Sequence, residues 1–294
     1  MDGKLYVITG CTAVGKTDYA INFAIENNAE IVSCDSLLVY KHMDIGTAKP
    51  KPIDRKGIEH HCMDLVEPSE NFDVSMFIES AQMAIESIVS SRKNVVVVGG
   101  SGFYLKSFYH PIIDGIKIPR NVSDLVNSVY AKSGLGGLVT MLISVNDGTC
   151  PPIDIKNPRR VMAALKRCLA CGRTFDDVQN NFVSSDSPFK RYQKHTILLE
   201  RDQEDLKLRI WERTKKMLHM GLIDEVKFLL SNYEQLGDSA KNAIGYRETI
   251  NWLKGSTTED ALVDEISQNT LKLVKKQKTW FKKQIPVDEK IILR

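Results

Sequence analysis

The sequence predicts an α/β protein: a parallel-sheet core, a mainly helical inserted subdomain and a helical C-terminal part. Three observations predict it. The first is a strand-like run, Leu5-Tyr-Val-Ile-Thr9, followed by Gly10-Cys11-Thr12-Ala13-Val14-Gly15-Lys16-Thr17 and then by residues 18–25, where Tyr19 with Phe23 and Ala20 with Ala24 recur at helical spacing. The second is a set of later apolar, β-branched runs at 29–33, 94–98 and 195–200; Val95 to Val98 suits a strand buried on both faces of a parallel sheet. The third is a change of pattern between about residues 111 and 194, where short helical pieces and polar loops replace the strand–helix alternation.

Residues 10–17 match G-x-x-x-x-G-K-[ST] in full, and strand, glycine turn and helix form the context that this motif requires. The core is therefore expected to be P-loop NTPase-like. Glycines let backbone N–H groups converge on a phosphate chain at a helix N-terminus, Lys16 adds a point charge, and the Thr17 hydroxyl can ligate Mg²⁺. The loop predicts a bound di- or triphosphate without saying which ester. In a chain of 294 residues, residues 1–110 with 195–294 are read as the catalytic core and residues 111–194 as an inserted helical lid or substrate-binding subdomain.

Bulk composition, 43% hydrophobic and 26% charged, is that of an ordinary globular protein, and a net charge of +3 does not by itself call for nucleic acid. The distribution says more, because residues 272–283 hold six lysines and no acid. No signal peptide or membrane-length apolar run is read, so a cytoplasmic protein is expected; separately, a monomer is expected. Of six cysteines, Cys168 and Cys171 form one C-x-x-C, with no second pair or spaced histidines to complete a zinc site. Reduced thiols follow.

Residues 29–33 end on Cys34-Asp35-Ser36. A carboxylate at the carboxyl end of a strand beside a phosphate loop points into the crevice where such sheets bind ligands, which makes Asp35 the leading catalytic candidate; capping the next turn is its structural alternative. Residues 40–65, rich in Gly, Pro and Lys and ending at His60-His61, read as loop with short pieces of structure, and adjacent histidines seldom share one ion. Residues 74–91 form an amphipathic helix through Phe77, Ala81, Ala84, Ile85 and Ile88. The strand at 94–98 then ends in Gly99-Gly100-Ser101 where many phosphate-loop hydrolases carry a magnesium-holding acid, which turns attention to Ser101 or a backbone amide.

In the insertion, Gly134-Leu-Gly-Gly137 reads as loop, and Arg159-Arg160 opens a basic helix. After the strand at 195–200 come a helix at 205–220 that places Arg209 and Arg213 on one face, closure at Gly221, helices at 222–230 and from Ala243, and a long lysine-bearing helix opened by a capping box at Ser256 and Glu259. The chain finishes on Ile291-Ile-Leu293, read as an edge strand.

Taken in order, Gly10-Cys-Thr-Ala-Val-Gly-Lys-Thr17, Asp35-Ser-Leu-Leu-Val-Tyr40, Gly46-Thr-Ala-Lys-Pro50, His60-His61 with Asp64, Val98-Gly-Gly-Ser-Gly-Phe-Tyr104, Gly221 with Glu225-Val226, Ala243-Ile-Gly-Tyr246 and Gln277-Lys-Thr-Trp-Phe281 resemble the tRNA dimethylallyltransferase family. The loop alone is generic; the collinear set, spanning nearly the whole chain, is specific. The resemblance implies transfer of a dimethylallyl group from dimethylallyl diphosphate to the exocyclic amine of the adenosine 3′ of the anticodon in tRNA, releasing diphosphate.

Residue by residue, the resemblance implies that Gly10, Cys11, Thr12, Ala13, Val14, Gly15, Lys16 and Thr17 hold the diphosphate, Thr17 with Mg²⁺, aided by Arg209 and Arg213. Asp35 orients and deprotonates the amine, and Ser101 stands where the family usually has threonine. Asp35, Ser36, Leu37, Leu38, Ser101, Arg159, Arg160, Lys275 and Lys276 are expected to meet the anticodon loop. The chain departs from the family pattern at Leu38 for glutamine, Ala163 for arginine and Lys282 for arginine. Rival readings are prenylation of free adenine nucleotides, a small-molecule kinase, and a non-catalytic RNA-binding module.

Overall fold

A computed structural model describes residues 4–112, 116–183, 186–255 and 258–294. The chain divides into two compact units, residues 1–110 with 188–294 and residues 111–187. Among the described residues the first unit is organised on six parallel strands in the order β3-β2-β4-β1-β5-β6: β1 (Leu5–Gly10), β2 (Ala29–Cys34), β3 (His60–His61), β4 (Asn94–Gly99), β5 (Lys194–Arg201) and β6 (Glu289–Leu293). The two-residue strand formed by His60 and His61 is one of the short pieces of structure expected within residues 40–65. It pairs with Ile31 and Val32 of β2 and so closes one edge of the sheet.

The central strands read as unbroken apolar runs because helices cover both faces. α1 (Lys16–Glu26) contributes Ala20, Ile21 and Ala24 to a cluster with Ile8, Ile31, Val96 and Ile197; α7 (Gln203–His219) adds Leu206 and Ile210, and α11 (Glu259–Gln284) adds Val274. Strand alternation turns Val95 and Val97 to the opposite face, on the side of α2 (Val74–Ser90). Asp73 caps α2 by accepting from Ser75 and Met76 amides. There Phe77 stacks on Tyr104 of α3 (Gly102–Ser107) at 4.2 Å between ring centres.

In the second unit, α4 (Arg120–Ser144), α5 (Pro158–Cys171) and α6 (Phe175–Val183) are the helices, and Val126, Leu138, Leu142, Val161, Ala164 and Leu165 form the shared core of α4 and α5. The glycine run at 134–137 is not a loop, as the sequence suggested, but a kink within α4. Gly134 takes φ 60°, ψ −156°, a conformation open to glycine, and the helix resumes beyond it because Leu138 and Leu142 regain the core. Cys171 donates its thiol to the Arg167 carbonyl within α5.

The C-terminal helices of the first unit are α7, α8 (Leu222–Asn232), α9 (Asp238–Lys241), α10 (Tyr246–Trp252) and α11. Gly221, left-handed at φ 100°, follows the Met220 cap and closes α7, its amide donating to the Leu218 carbonyl, and it also caps the start of α8. Ser256 of the expected capping box lies outside the described residues; the hydroxyl of Thr258 caps α11 by accepting from the Ala261 amide. Among the described residues no helix is long and apolar enough to cross a membrane.

Candidate active site

The phosphate loop takes its shape from glycine and from ties made far along the chain. Gly15, at φ 108°, turns the chain directly into α1, a turn that an L side chain would resist. Thr12 donates both its amide (2.9 Å) and its hydroxyl (3.1 Å) to Oε1 of Gln277 on α11, while Nε2 of the same glutamine donates to the Gly100 carbonyl at 3.1 Å. One side chain thus pins the loop after β1 to the loop after β4. Arg209 donates its Nε to the Ala13 carbonyl (3.1 Å), and Arg201 donates to that of Val14 (3.1 Å) while pairing with Asp205 at 2.5 Å.

Beside this loop opens a cavity of about 560 Å³ lined wholly by the first unit. Its polar end holds Thr12, Ala13, Lys16, Thr17, Asp35 and Arg213. Its apolar lining includes Ile210, Met217, Ile244, Ile266, Leu273 and Phe281. Ser36, Leu37, Leu38, Ser101 and Lys276, also expected from the sequence, line the same cavity.

Lys16 donates to the Cys11 carbonyl at 2.8 Å. The residue as a whole is half-buried, but its ammonium end is enclosed, and that burial lowers its pKa to about 8 against the opposing pull of the Asp35 charge. Burial likewise pushes the Arg213 guanidinium below its usual value, with Asp35 again opposing. Two cations held against their solvation preference favour an anion beside them. The Asp35 carboxylate accepts from the Leu37 amide at 2.9 Å, so it caps its own turn and lines the cavity at once. Ser101 accepts from the Ser36 amide (2.9 Å) and lies 3.2 Å from the Ser36 hydroxyl, which fixes the turn after Asp35 against the end of β4.

The other expected residues fall differently. Arg209 lies outside the lining and spends its Nε on the loop backbone, whereas Arg213, one turn on, lines the cavity. Gly10, Cys11, Val14 and Gly15 shape the loop from outside the lining; the buried Cys11 thiol has its pKa raised by burial. Lys275 is exposed beyond the lining. Arg159 and Arg160 open α5 in the second unit, where Asn157 accepts from their amides. Among the described residues no group of three His, Cys, Asp or Glu side chains is placed to hold a metal; His61 instead pairs with Glu30 at 2.6 Å. Sequence reasoning gave Gln277 no role, although it stands within a quoted motif. The signal available was a lone amide side chain amid the lysines of residues 272–283.

Residues 38–284 match the family model described as IPP transferase. The chain belongs to that family. A protein named tRNA dimethylallyltransferase from Opitutus terrae is 42% identical over 96% of this chain and 91% of its own length. One of the same name from Thermotoga neapolitana is 34% identical over 95% of this chain and 90% of its own. The crystal structure of a tRNA delta(2)-isopentenylpyrophosphate transferase from Staphylococcus epidermidis superposes with a TM-score of 0.68 at 29% identity, covering 99% of this chain and 93% of that one. The family so identified is the one the ordered motifs resemble.

Proposed function

We propose that this IPP transferase family member moves a dimethylallyl group from dimethylallyl diphosphate to the exocyclic amine of the adenosine 3′ of the anticodon in tRNA. The observation that carries the reading is a single cavity in which a phosphate loop and an arginine adjoin both a carboxylate and an apolar wall. Displacement at an allylic carbon breaks its bond to oxygen and leaves the electron pair on the diphosphate. The loop, Lys16 and Arg213 then stabilise a leaving group rather than a transferred phosphoryl. The adenine amine forms the new carbon–nitrogen bond and gives its extra proton to Asp35. Ser101 and Ser36 hold that turn in place. The apolar wall shelters the prenyl chain from water.

Thr17 and Asp35, whose side-chain donors are oxygens, both line the cavity, a donor type that fits Mg²⁺. Thr17 would hold the ion with the diphosphate, and the ion would neutralise charge on the leaving group. For tRNA, Lys276 stands at the cavity wall and Lys275 beside it. Arg159 and Arg160 occupy the first turn of α5, where the helix dipole disfavours cations and an RNA phosphate would compensate it. The base must leave its stack to reach the cavity. A cytoplasmic monomer acting on tRNA is the setting this implies.

The test is incubation with Mg²⁺ and labelled dimethylallyl diphosphate, with unmodified tRNA or AMP in parallel. Label in tRNA alone is the expected result. Label in AMP alone would assign the protein to free nucleotides, and label in neither, with ATP consumed in a separate incubation supplied with it, would make it a kinase.

A further inference from the structure

We infer that Glu225 is a positioning residue that sets Arg213 in place through the loop at 44–47, an inference that rests on the reading of the cavity as a diphosphate site. Glu225 stands in the first turns of α8. Its Oε2 accepts from the amides of Asp44 (3.0 Å) and Ile45 (2.7 Å), and its Oε1 from the amide of Gly46 (3.1 Å) and the hydroxyl of Tyr246 (2.6 Å). One carboxylate therefore collects three consecutive backbone donors and a phenol. Burial and the Glu225 charge raise the Tyr246 pKa, which keeps that phenol a donor.

The clamp holds the segment hard against α10. A Cβ on Gly46 would fall 2.5 Å from the Tyr246 ring, so a side chain there would prise the two apart. On its other side the loop is held by Lys49, which pairs with Asp44 (2.6 Å) and Asp64 (2.5 Å) and donates to the Tyr40 carbonyl (2.8 Å). Between these anchors, Gly46, Thr47 and Ala48 form cavity wall. The Thr47 carbonyl accepts from Nη2 of Arg213 at 3.4 Å. Among the described residues the hydrogen bond of Arg213 goes to the backbone of this loop, with the Asp35 charge acting on it as well, so where the loop sits helps to set where the guanidinium points. Glu225 reaches the substrate only through that chain: carboxylate, three amides, one carbonyl, one guanidinium.

Glu225→Gln separates this role from a merely structural one. Its remaining carbonyl oxygen can keep the Asp44 and Ile45 amides, and Tyr246 can turn to accept from the new NH₂; the Gly46 amide, next to Thr47, is left facing a donor. The experiment is calorimetric titration of the full chain with inorganic diphosphate and Mg²⁺, in four backgrounds: wild type, Glu225→Gln, Arg213→Gln and the double variant. Groups in one network couple, so Glu225→Gln is expected to weaken diphosphate about fivefold in the wild-type background and by less than about twofold when Arg213 is absent. Tyr246→Phe, which spares the three amides, is expected to stay within about twofold of wild type. Equal factors for Glu225→Gln in both backgrounds, or a fall in melting temperature with unchanged affinity, would overturn the positioning role alone. Wild-type protein that takes up no diphosphate would instead overturn the reading of the cavity, and the role with it.

Discussion

The two compact units secure their loops by different means. In the sheet-based unit the loops are tied across the sequence: Gln277 to Thr12 and Gly100, Arg209 to Ala13, Glu225 to residues 44–46. In the helical unit the polar ties described span far less of the sequence, at most 29 residues. Asn157 caps the helix it precedes, and Asn146 donates to Leu142 and accepts from the Phe175 amide. The difference teaches where chemistry can be held. Stabilising charge that develops in a reaction needs donors fixed before it appears, and long-range ties fix them. Gripping an RNA backbone needs positive charge on a helix, which tolerates local mobility.

The contrast between the units makes graded predictions. Asp35→Ala carries the largest effect: prenyl transfer falls by about 10²–10⁴, the range for losing a general base, while binding of tRNA and diphosphate changes little. Single-turnover transfer alongside filter binding checks it, and unaltered turnover would remove Asp35 from the reaction.

Lys16→Met comes next, with transfer reduced about 10²–10³-fold, as for one preorganised donor. The lysine also gives a pH signature. With a pKa lowered to about 8 by burial, it carries its charge below that pH and loses it above, so diphosphate affinity falls as pH rises through about 8 and Lys16→Met flattens the profile. For stability the sign is opposite. The unfolded lysine titrates at its usual 10.5, so between about 8 and 10.5 the unfolded chain binds more protons and this group's contribution to stability rises with pH. Calorimetric titration across pH 7 to 9 reads the first effect, and melting curves the second.

Replacing Arg159 and Arg160 together by alanine probes the other region. The expected result is a weaker tRNA complex, with the salt slope of binding reduced by about 0.7–0.9 for each RNA phosphate that is no longer neutralised, and diphosphate affinity unchanged. Weakened diphosphate binding would break the division of labour. Smallest is Gly134→Ala, whose φ 60°, ψ −156° suits glycine and which should cost about 1–3 kcal/mol of stability without touching diphosphate binding.

Much of this organisation is legible in the sequence where cause and effect are close together. The phosphate loop sits between its strand and helix, Val95 to Val98 announce a strand covered on both faces, and Asp35 ends a strand beside the loop. What sequence alone could not supply depends on groups that meet only in the fold. Gly134 to Gly137 look like a loop because glycine opposes helix locally, yet Leu138 and Leu142 recover burial that outweighs it. His60 and His61 form a strand because Ile31 and Val32 offer an open sheet edge. Arg209 and Arg213 share a helix face and differ in use: one meets the Ala13 carbonyl and the other the cavity. Gln277 joins loops from both ends of the chain, which no local pattern encodes.

The central claim is that the phosphate loop serves a departing diphosphate rather than a phosphoryl group in transit. The most direct test is the stoichiometry of products formed from tRNA and dimethylallyl diphosphate with Mg²⁺ and no ATP. The account predicts one diphosphate released for each prenyl group found on tRNA adenosine. A requirement for ATP, with phosphoryl transfer in place of released diphosphate, would contradict it.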